Sequence, residues 1–591
     1  MERIEKPVQQ GNPAMAWGSD PIAAILREAG FEYIALTPGA SYRGLHDSLV
    51  NFLGNERPKM LLCIHEEHAV AIAHGYAKVT DKPMAVALHS NVGLMHATMA
   101  IFNAWCDRMP VFLLGANGPI DARRRRPWID WIHTSRDLGG LIRGYVKWDD
   151  EPASVGAALE AILRARIIAS TAPCGPVFVC LDAGLQEESL ASEPALPRVA
   201  RFAPPLAAEP SRAAVVEAVR LLRGAARPLI MVGRVSRDEK SWEQRIQLAE
   251  RLGACVATDL RTPASFPTRH RLHPHAPGMF PTEQTLAAMR RADVILSLDW
   301  VDLGGALHQA WAGADPQAKI IQCSPDQYVH GGWSMDYQAL PPCEVTLLAT
   351  PDATIPLLLA ALGEADAPAT AWLTPPVAPA TAPAIGGSQI PILDFASVVT
   401  EELAQHKPSY THLPNGWPGS ACDFAHPLDF LGYDGGGGLG GGPGQGVGAA
   451  LALRESGRLP VCVTGDGDFL MGVTALWTAV HYEIPLLVIV ANNLSFFNDE
   501  LHQERVARQR SRPVENRWIG LRIADPPLDL AMLARGQGAH GHGPVDTVSR
   551  LATVLRQAIT EVRRGGVSVI DVRVAPEYDR AASSGVLRQS Q

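Results

Sequence analysis

Asp466, held between Gly465 and Gly467, and Asn493, the second of two asparagines, have the types and spacing most suggestive of chemistry. They bracket GDGDFLMGVTALWTAVHYEIPLLVIVANN (465–493) and lie 27 positions apart. An apolar run, Pro460–Thr464, leads into the Gly-Asp-Gly turn. A mostly apolar stretch, Phe469–Tyr482, has helix length, and a second β-rich run, Pro485–Val490, stops at the asparagines. Strand, helix and strand predict a right-handed parallel unit. Such a unit sets Asp466 and Asn493 together at the carboxyl ends of neighbouring strands, where α/β sheets hold ligands. Two hard oxygen donors are a sparse set that suits Mg²⁺ sharing its octahedron with diphosphate oxygens and water. Gly465 and Gly467 let the backbone approach a phosphate at the helix N-terminus. The pattern predicts a metal–diphosphate site; a Gly-Asp-Gly turn alone would be ordinary turn chemistry.

The elements that must position this site recur along all 591 residues, a length that implies several domains. Apolar runs alternate with helical stretches throughout, so the expected fold class is α/β, three doubly wound parallel-sheet domains. The first block, 14–188, has strand candidates at Tyr33–Thr37, Met60–Ile64, Met84–Leu88, Val111–Leu114 and Val177–Leu181. The second, 189–360, has them at Leu229–Val232, Val294–Leu298 and Lys319–Cys323. An Ala/Pro-rich stretch, 361–389, reads as an extended linker. The third block, 390–580, carries the metal–diphosphate motif, and the polar tail Ser583–Gln591 reads as frayed.

Hydrophobic content of 47% with 19% charged residues is that of a globular enzyme. A net charge of −9 over this length gives no footprint for nucleic acid. Nine scattered cysteines without a CxxC pair argue for reduced thiols and a cytoplasmic location. No signal-peptide pattern and no run of membrane-span length is found. HPHAP (273–277) and HGHG (540–543) lack a third ligand nearby and are not read as metal sites. Arg123–Arg126 reads first as a solvated or interface charge run and only second as an anion site.

GDG followed by NN resembles the thiamine-diphosphate motif of the acetolactate synthase, pyruvate oxidase and benzoylformate decarboxylase superfamily. The three blocks match that family's pyrimidine, middle and pyrophosphate order. The resemblance implies thiamine diphosphate and Mg²⁺ as cofactors, a small 2-oxo acid or ketone substrate, no nucleic-acid or membrane partner, and a homodimer at least, commonly a homotetramer. It also implies a glutamate that activates the cofactor by hydrogen-bonding its aminopyrimidine. In the family this residue lies nine positions before the glycine of GYA, which from Gly75 gives Glu66 in CIHEEHAVAIAHGYAKVT, with Glu67 as the neighbouring alternative. Asp466 and Asn493 would hold the metal, with Ser495 lending its carbonyl. Asp468 would help hold the diphosphate. Gly438 and Leu439 in GYDGGGGLGGGPGQGVGAAL (432–451) would match the loop that folds the cofactor into its bent shape. The family's usual later proline is missing after Pro443, which leaves the loop's path open. Asn415–Trp417 would touch the cofactor from the start of the third block.

LHSNVG (88–93), NAWCDRMPVF (103–112) and VKWDDEPAS (146–154) are similar to benzoylformate decarboxylase segments in the same order. His89 falls on that branch's active-site histidine, which handles protons, and His308 falls near its middle-block histidine. Departures gather in the pocket. Ala40 replaces the branch's serine, with Ser41 alongside; Ile132 and His133 replace two leucines; the apolar lid becomes polar at Asn498, Asp499 and His502. These changes imply a substrate with more polar groups, and His133 becomes a second candidate acid/base. The resulting expectation is a thiamine-diphosphate-dependent carbon–carbon lyase, first a 2-oxo acid decarboxylase. The alternatives are an acetolactate synthase-like carboligase or a lyase of hydroxyketones, diketones or acyl-CoA substrates. No flavin signature stands in the second block, and the presence of Glu66, Asp466 and Asn493 argues against a non-catalytic protein of this fold.

Overall fold

A computed structural model describes residues 4–8, 14–326, 339–364, 372 and 389–578. Three parallel sheets follow one another along the chain. The first comprises β1 (Tyr33–Leu36), β2 (Lys59–Leu62), β3 (Met84–His89), β4 (Val111–Asn117), β5 (Asp149–Asp150) and β6 (Val177–Asp182), in the spatial order β2-β1-β3-β4-β6-β5. The second comprises β7 (Pro228–Val232), β8 (Cys255–Ala257), β9 (Val294–Leu298), β10 (Lys319–Cys323) and β11 (Val345–Leu347), in the order β11-β10-β9-β7-β8. The third comprises β12 (Pro408–His412), β13 (Leu459–Gly465), β14 (Leu486–Asn492), β15 (His540–Val545) and β16 (Val567–Arg573), in the order β12-β13-β14-β16-β15.

Helices cover both faces of a parallel sheet, so its interior strands read as unbroken apolar runs. VFLLGAN of β4 and LLVIVAN of β14 are buried at every position. Every strand expected from the sequence is present. Six more complete the sheets: β5, β8, β11, β12, β15 and β16. The segment read as HGHG lies in β15, an edge strand whose glycines and proline hide it from a composition-based reading.

Two expectations are corrected. The single helix expected over Phe469–Tyr482 is two, Asp466–Gly472 and Ala475–His481. A Cβ at Gly472 would sit 2.5 Å from the Gly440 carbonyl, so the chain turns where it passes beneath the glycine-rich loop. The linker starts later than 361, because residues 361 and 362 complete the helix Pro351–Leu362. Apart from Trp372, packed 5.9 Å from the Arg291 guanidinium, residues 365–388 lie outside the described residues, as does the tail Ser583–Gln591. Among the described residues no helix is long and apolar enough to cross a membrane. All nine cysteines are free.

The first and third blocks meet through two helices, α1 (Glu66–Thr80) and α3 (Gly441–Ala452); between them in sequence, α2 (Ser90–Cys106) follows β3. A Cβ at Gly75 would lie 2.0 Å from the Gln445 carbonyl oxygen, and one at Gly448 would lie 1.8 Å from that of Ile72. The two helix backbones therefore touch without intervening side chains. One hydrophobic core runs through the contact, taking Ala69, Ile72 and Ala73 from one side and Val447 and Ala450 from the other. Nearby, Thr478 Oγ1 donates to the Leu62 carbonyl and Leu62 N–H to the Tyr482 hydroxyl, each at 2.8 Å. The second block joins the first by ion pairs, Arg108 to Asp299 at 3.1 Å and to Asp326 at 2.7 Å, and the third by a core that holds Trp242, Leu260 and Ala264 with Tyr410 and Phe430.

Gly448→Ala is expected to destabilise the protein by about 1–3 kcal/mol through overpacking, read as a lower urea midpoint. Gly156→Ala, at a helical position with nothing within 4 Å of the new Cβ, is expected to stabilise it by about 0.4–1 kcal/mol. Equal shifts from the two variants would refute the close contact.

Candidate active site

β13 ends at Gly465, whose register partner on β14 is Ala491, so Asp466 and the asparagine pair leave the sheet side by side. Asp466 begins the short helix Asp466–Gly472 and is buried. Its carboxylate accepts the Gly467 amide at 2.9 Å and the Ser495 amide at 3.2 Å; that amide also donates to Asn493 Oδ1 at 3.0 Å. Burial pushes the Asp466 carboxyl up from 3.8 to about 6 despite the amides around it. No cationic side chain pairs with it among the described residues. A buried, unneutralised carboxylate beside an amide oxygen is a donor set that fits a hard divalent cation. The Ser495 hydroxyl is committed to Glu500 at 2.6 Å, so an oxygen of Ser495 offered to an ion would be its carbonyl. Gly465 has ordinary extended geometry and open space around it, whereas a Cβ at Gly467 would strike the Phe496 ring at 2.6 Å. Packing therefore explains the second glycine and not the first.

These residues line a cavity of about 330 Å³ together with Leu439, Asp468, Asn498 and Asp499. Asp468 spends its carboxylate on the glycine-rich loop, accepting the Gly440 amide at 2.6 Å and the Thr464 hydroxyl. Gly438 faces α2, where a Cβ would meet Met99 at 2.4 Å, and is absent from the lining. Asn415 and Gly416 line the cavity, whereas Trp417 packs in the core against Phe395. Every lining residue comes from 392–578; none belongs to the first block.

The first block assembles a separate cluster. Glu66 opens α1 behind the N-cap His65, whose Nδ1 accepts the Glu67 amide at 3.1 Å. The Glu66 carboxylate is buried against α2, with His96 Nδ1 at 3.1 Å, and a Cβ at Gly93 would come within 3.2 Å of it. Glu67 points the other way, toward Gly440 and Asp468 of the third block, and burial, then Asp468, raise its pKa. The two adjacent acids therefore serve different surfaces. His89 ends β3, with Ser41 Oγ 2.9 Å from its Nδ1 and the His133 ring edge-on at 4.8 Å. Burial and the neighbouring His133 hold the His89 pKa below its usual value. The loop bearing Ile132 and His133 is pinned over the start of α2. Asn91 Nδ2 donates to the Ile132 carbonyl at 3.1 Å and the Ser90 hydroxyl to that of His133.

Several expected site residues stand apart. His502 lies about one turn beyond Asn498 and Asp499 on the helix Phe497–Gln509 and does not line the cavity. His308 sits exposed on the helix Leu303–Trp311 and lines neither site. Three of the four arginines hold their loop in place: Arg125 donates to the Pro119 carbonyl, Arg126 pairs with Asp130, and Arg124 reaches the Gly184 carbonyl in the helix after β6. A larger cavity, about 710 Å³, opens between the blocks near Arg108, Arg234, Arg261 and Asp299, away from Glu66 and Asp466. The sequence reading missed His96, and also His412, which lines the 330 Å³ cavity and whose burial keeps its pKa low. His96 lies on α2, a different helix from Glu66, so no local sequence signal marked the pair.

The chain matches the N-terminal thiamine pyrophosphate binding domain over 16–137, the central domain of thiamine pyrophosphate enzymes over 215–346 and their C-terminal thiamine pyrophosphate binding domain over 414–572. It belongs to the thiamine-diphosphate-dependent enzyme family of the acetolactate synthase and benzoylformate decarboxylase type, and its cofactor is thiamine diphosphate with a divalent metal. It is 27% identical to benzoylformate decarboxylase of Pseudomonas aeruginosa over 87% of this chain and 91% of that one. It is 23% identical to the acetolactate synthase large subunit of Haemophilus influenzae over 80% and 82%. Among solved structures, benzoylformate decarboxylase of Polynucleobacter necessarius superposes with a TM-score of 0.78 at 22% identity, covering 96% of this chain and 100% of that one. The 4-hydroxybenzoylformate decarboxylase of Rhodococcus jostii gives 0.76 at 22%, covering 95% and 99%.

The metal-free Asp466 binds a proton up to about pH 6 in the folded state against 3.8 ordinarily. Its ionisation therefore opposes folding as pH rises through that interval, and a metal reverses the balance because it binds the carboxylate. The rise in Tm produced by thiamine diphosphate with Mg²⁺ is thus expected to shrink as pH falls below about 6, by up to about tenfold in affinity per unit. Asp466→Asn should flatten this dependence; an unchanged pH profile in that variant would exclude Asp466 as the titrating ligand.

Proposed function

We propose that the protein is a thiamine-diphosphate- and Mg²⁺-dependent decarboxylase of 2-oxo acids, resembling benzoylformate decarboxylase but acting on a more polar substrate. The observation that carries this reading is the grouping of Glu66, His89 and His133 on one side of the first block. It joins an activating carboxylate to two imidazoles able to handle a substrate's oxygen and proton. When bound, thiamine diphosphate supplies a nucleophilic carbon and takes up the electrons released with CO₂. Glu66 offers its carboxyl oxygen to the aminopyrimidine; Asp466, Asn493 and the Ser495 carbonyl hold the metal; Leu439 props the cofactor. Asn498 and Asp499, placed in the cavity lining, bring polar groups to where the substrate would lie.

The separation of the two clusters supports a homodimer at least, with a homotetramer as the fuller assembly. The diphosphate cavity has no first-block residue in its lining, and Trp128 and Trp131 leave apolar surface exposed near His133. One chain's Glu66 would then serve another chain's Asp466, in the cytoplasm, without nucleic-acid or membrane partners.

A proton NMR time course with thiamine diphosphate and Mg²⁺ tests the reaction, offering benzoylformate and pyruvate separately and together. Free aldehyde is the expected product; a coupled hydroxyketone or acetolactate would instead make the enzyme a carboligase. Glu66→Gln is expected to lower turnover by on the order of a hundredfold or more while cofactor still binds, with Glu67→Gln far milder. Full turnover by the Glu66 variant would exclude this mechanism.

A further inference from the structure

We propose that Ser41 and its own backbone amide fix His89 as a neutral, Nε2-protonated imidazole. In that form His89 serves the substrate as a hydrogen-bond donor and leaves proton transfer to another group. The role toward substrate rests on the 2-oxo acid reading above; the tautomer rests on geometry alone. The Ser41 amide donates to His89 Nδ1 at 3.4 Å. An amide nitrogen has no lone pair to offer, so Nδ1 must present one. Ser41 Oγ, 2.9 Å from the same nitrogen, then donates as well. A neutral imidazole carries a single proton, which these two donors leave to Nε2.

The clamp is built into the fold. Ser41 is buried in the short turn Ala40–Tyr42, and its carbonyl accepts Gln186 Nε2 at 3.1 Å. At Gly39 a Cβ would lie 2.3 Å from both Cβ and Cγ of His89, so only glycine lets the loop close on the ring. Among the described residues Nε2 has no hydrogen-bond partner, which leaves its N–H for a ligand. Of the charged and titratable groups around the ring, His133 and Arg126 oppose a second proton and Glu66 favours one. Burial opposes it most, so the His89 pKa is held below its usual value.

A neutral imidazole can polarise a carbonyl oxygen by donating a hydrogen bond, as other enzymes exploit. Delivering a proton to carbon would require an imidazolium. Loss of its Nε2 proton would leave Nδ1–H facing two donors, an arrangement the clamp penalises. Proton delivery therefore falls to a different group, and His133, in contact with His89, stands nearest. This reassigns the role that resemblance implied for His89, because Ala40 and Ser41 depart from the related branch at the position that touches the ring.

Magic-angle-spinning NMR on ¹⁵N-histidine-labelled holoprotein tests the tautomer without any substrate, with His89 assigned by its loss in His89→Asn. A pyridine-like Nδ1 and a pyrrole-like Nε2 near neutral pH are expected. Ser41→Ala should raise the His89 pKa and lower kcat for benzoylformate about tenfold, the scale of one lost hydrogen bond, with KM little changed; Ser41→Thr should restore both. A pyrrole-like Nδ1, or a His89 titration unmoved in Ser41→Ala, would overturn the proposal. If benzoylformate is not consumed, the NMR result still decides the tautomer, so failure of the substrate reading remains distinguishable.

Discussion

Direct contact between the backbones of α1 and α3 is the constraint on which the rest of the structure depends. Carbonyl oxygens of Ile72 and Gln445 occupy the space that side chains at Gly448 and Gly75 would need. The contact fixes two chemically distinct ends at once. The N-terminus of α1 presents Glu66, and the N-terminus of α3 receives the glycine-rich loop that carries Leu439. A shift along this interface would displace the acid and the loop together. Close packing of this kind transmits small displacements because interiors are nearly as dense as organic crystals.

From that contact the electrostatics divide. Glu66 turns to α2 and the imidazoles of His96 and His89, and Glu67 turns to Asp468 across the block boundary. Asp466 lies apart, buried without a cation, in a cavity lined by the third block alone. Each cluster is chemically incomplete. On the proposed reading, one would supply the acid and bases and the other the diphosphate cradle.

Much of this was legible in the sequence because interior parallel strands advertise themselves. Pro460–Thr464 and Pro485–Val490 read as strands for the same reason that β13 and β14 are buried. Their adjacency placed Asp466 beside Asn493 without any structure. What escaped has physical reasons. β5 and β8 are too short to carry a pattern, and β15 is a glycine-bearing edge. The break after Gly472 depends on a loop distant in sequence, and the partner of Glu66, His96, comes from a different helix, so neither leaves a local trace. Resemblance proposed His89 as a site residue but carried no information about which of its nitrogens faces the Ser41 amide.

Gly75 and Gly448 belong to different blocks, so neither can grow a side chain unless the opposing backbone withdraws. Substitution histories at the two positions should therefore be linked, with the first and third blocks drifting as a pair. The second block has no share in that contact; it shares a core with the third, where Trp242, Leu260 and Ala264 join Tyr410 and Phe430, and it pairs with the first through Arg108. A Cβ at Gly419 of the third block would lie 1.7 Å from the Pro277 carbonyl oxygen of the second, so the middle block too is tied to its neighbour's drift.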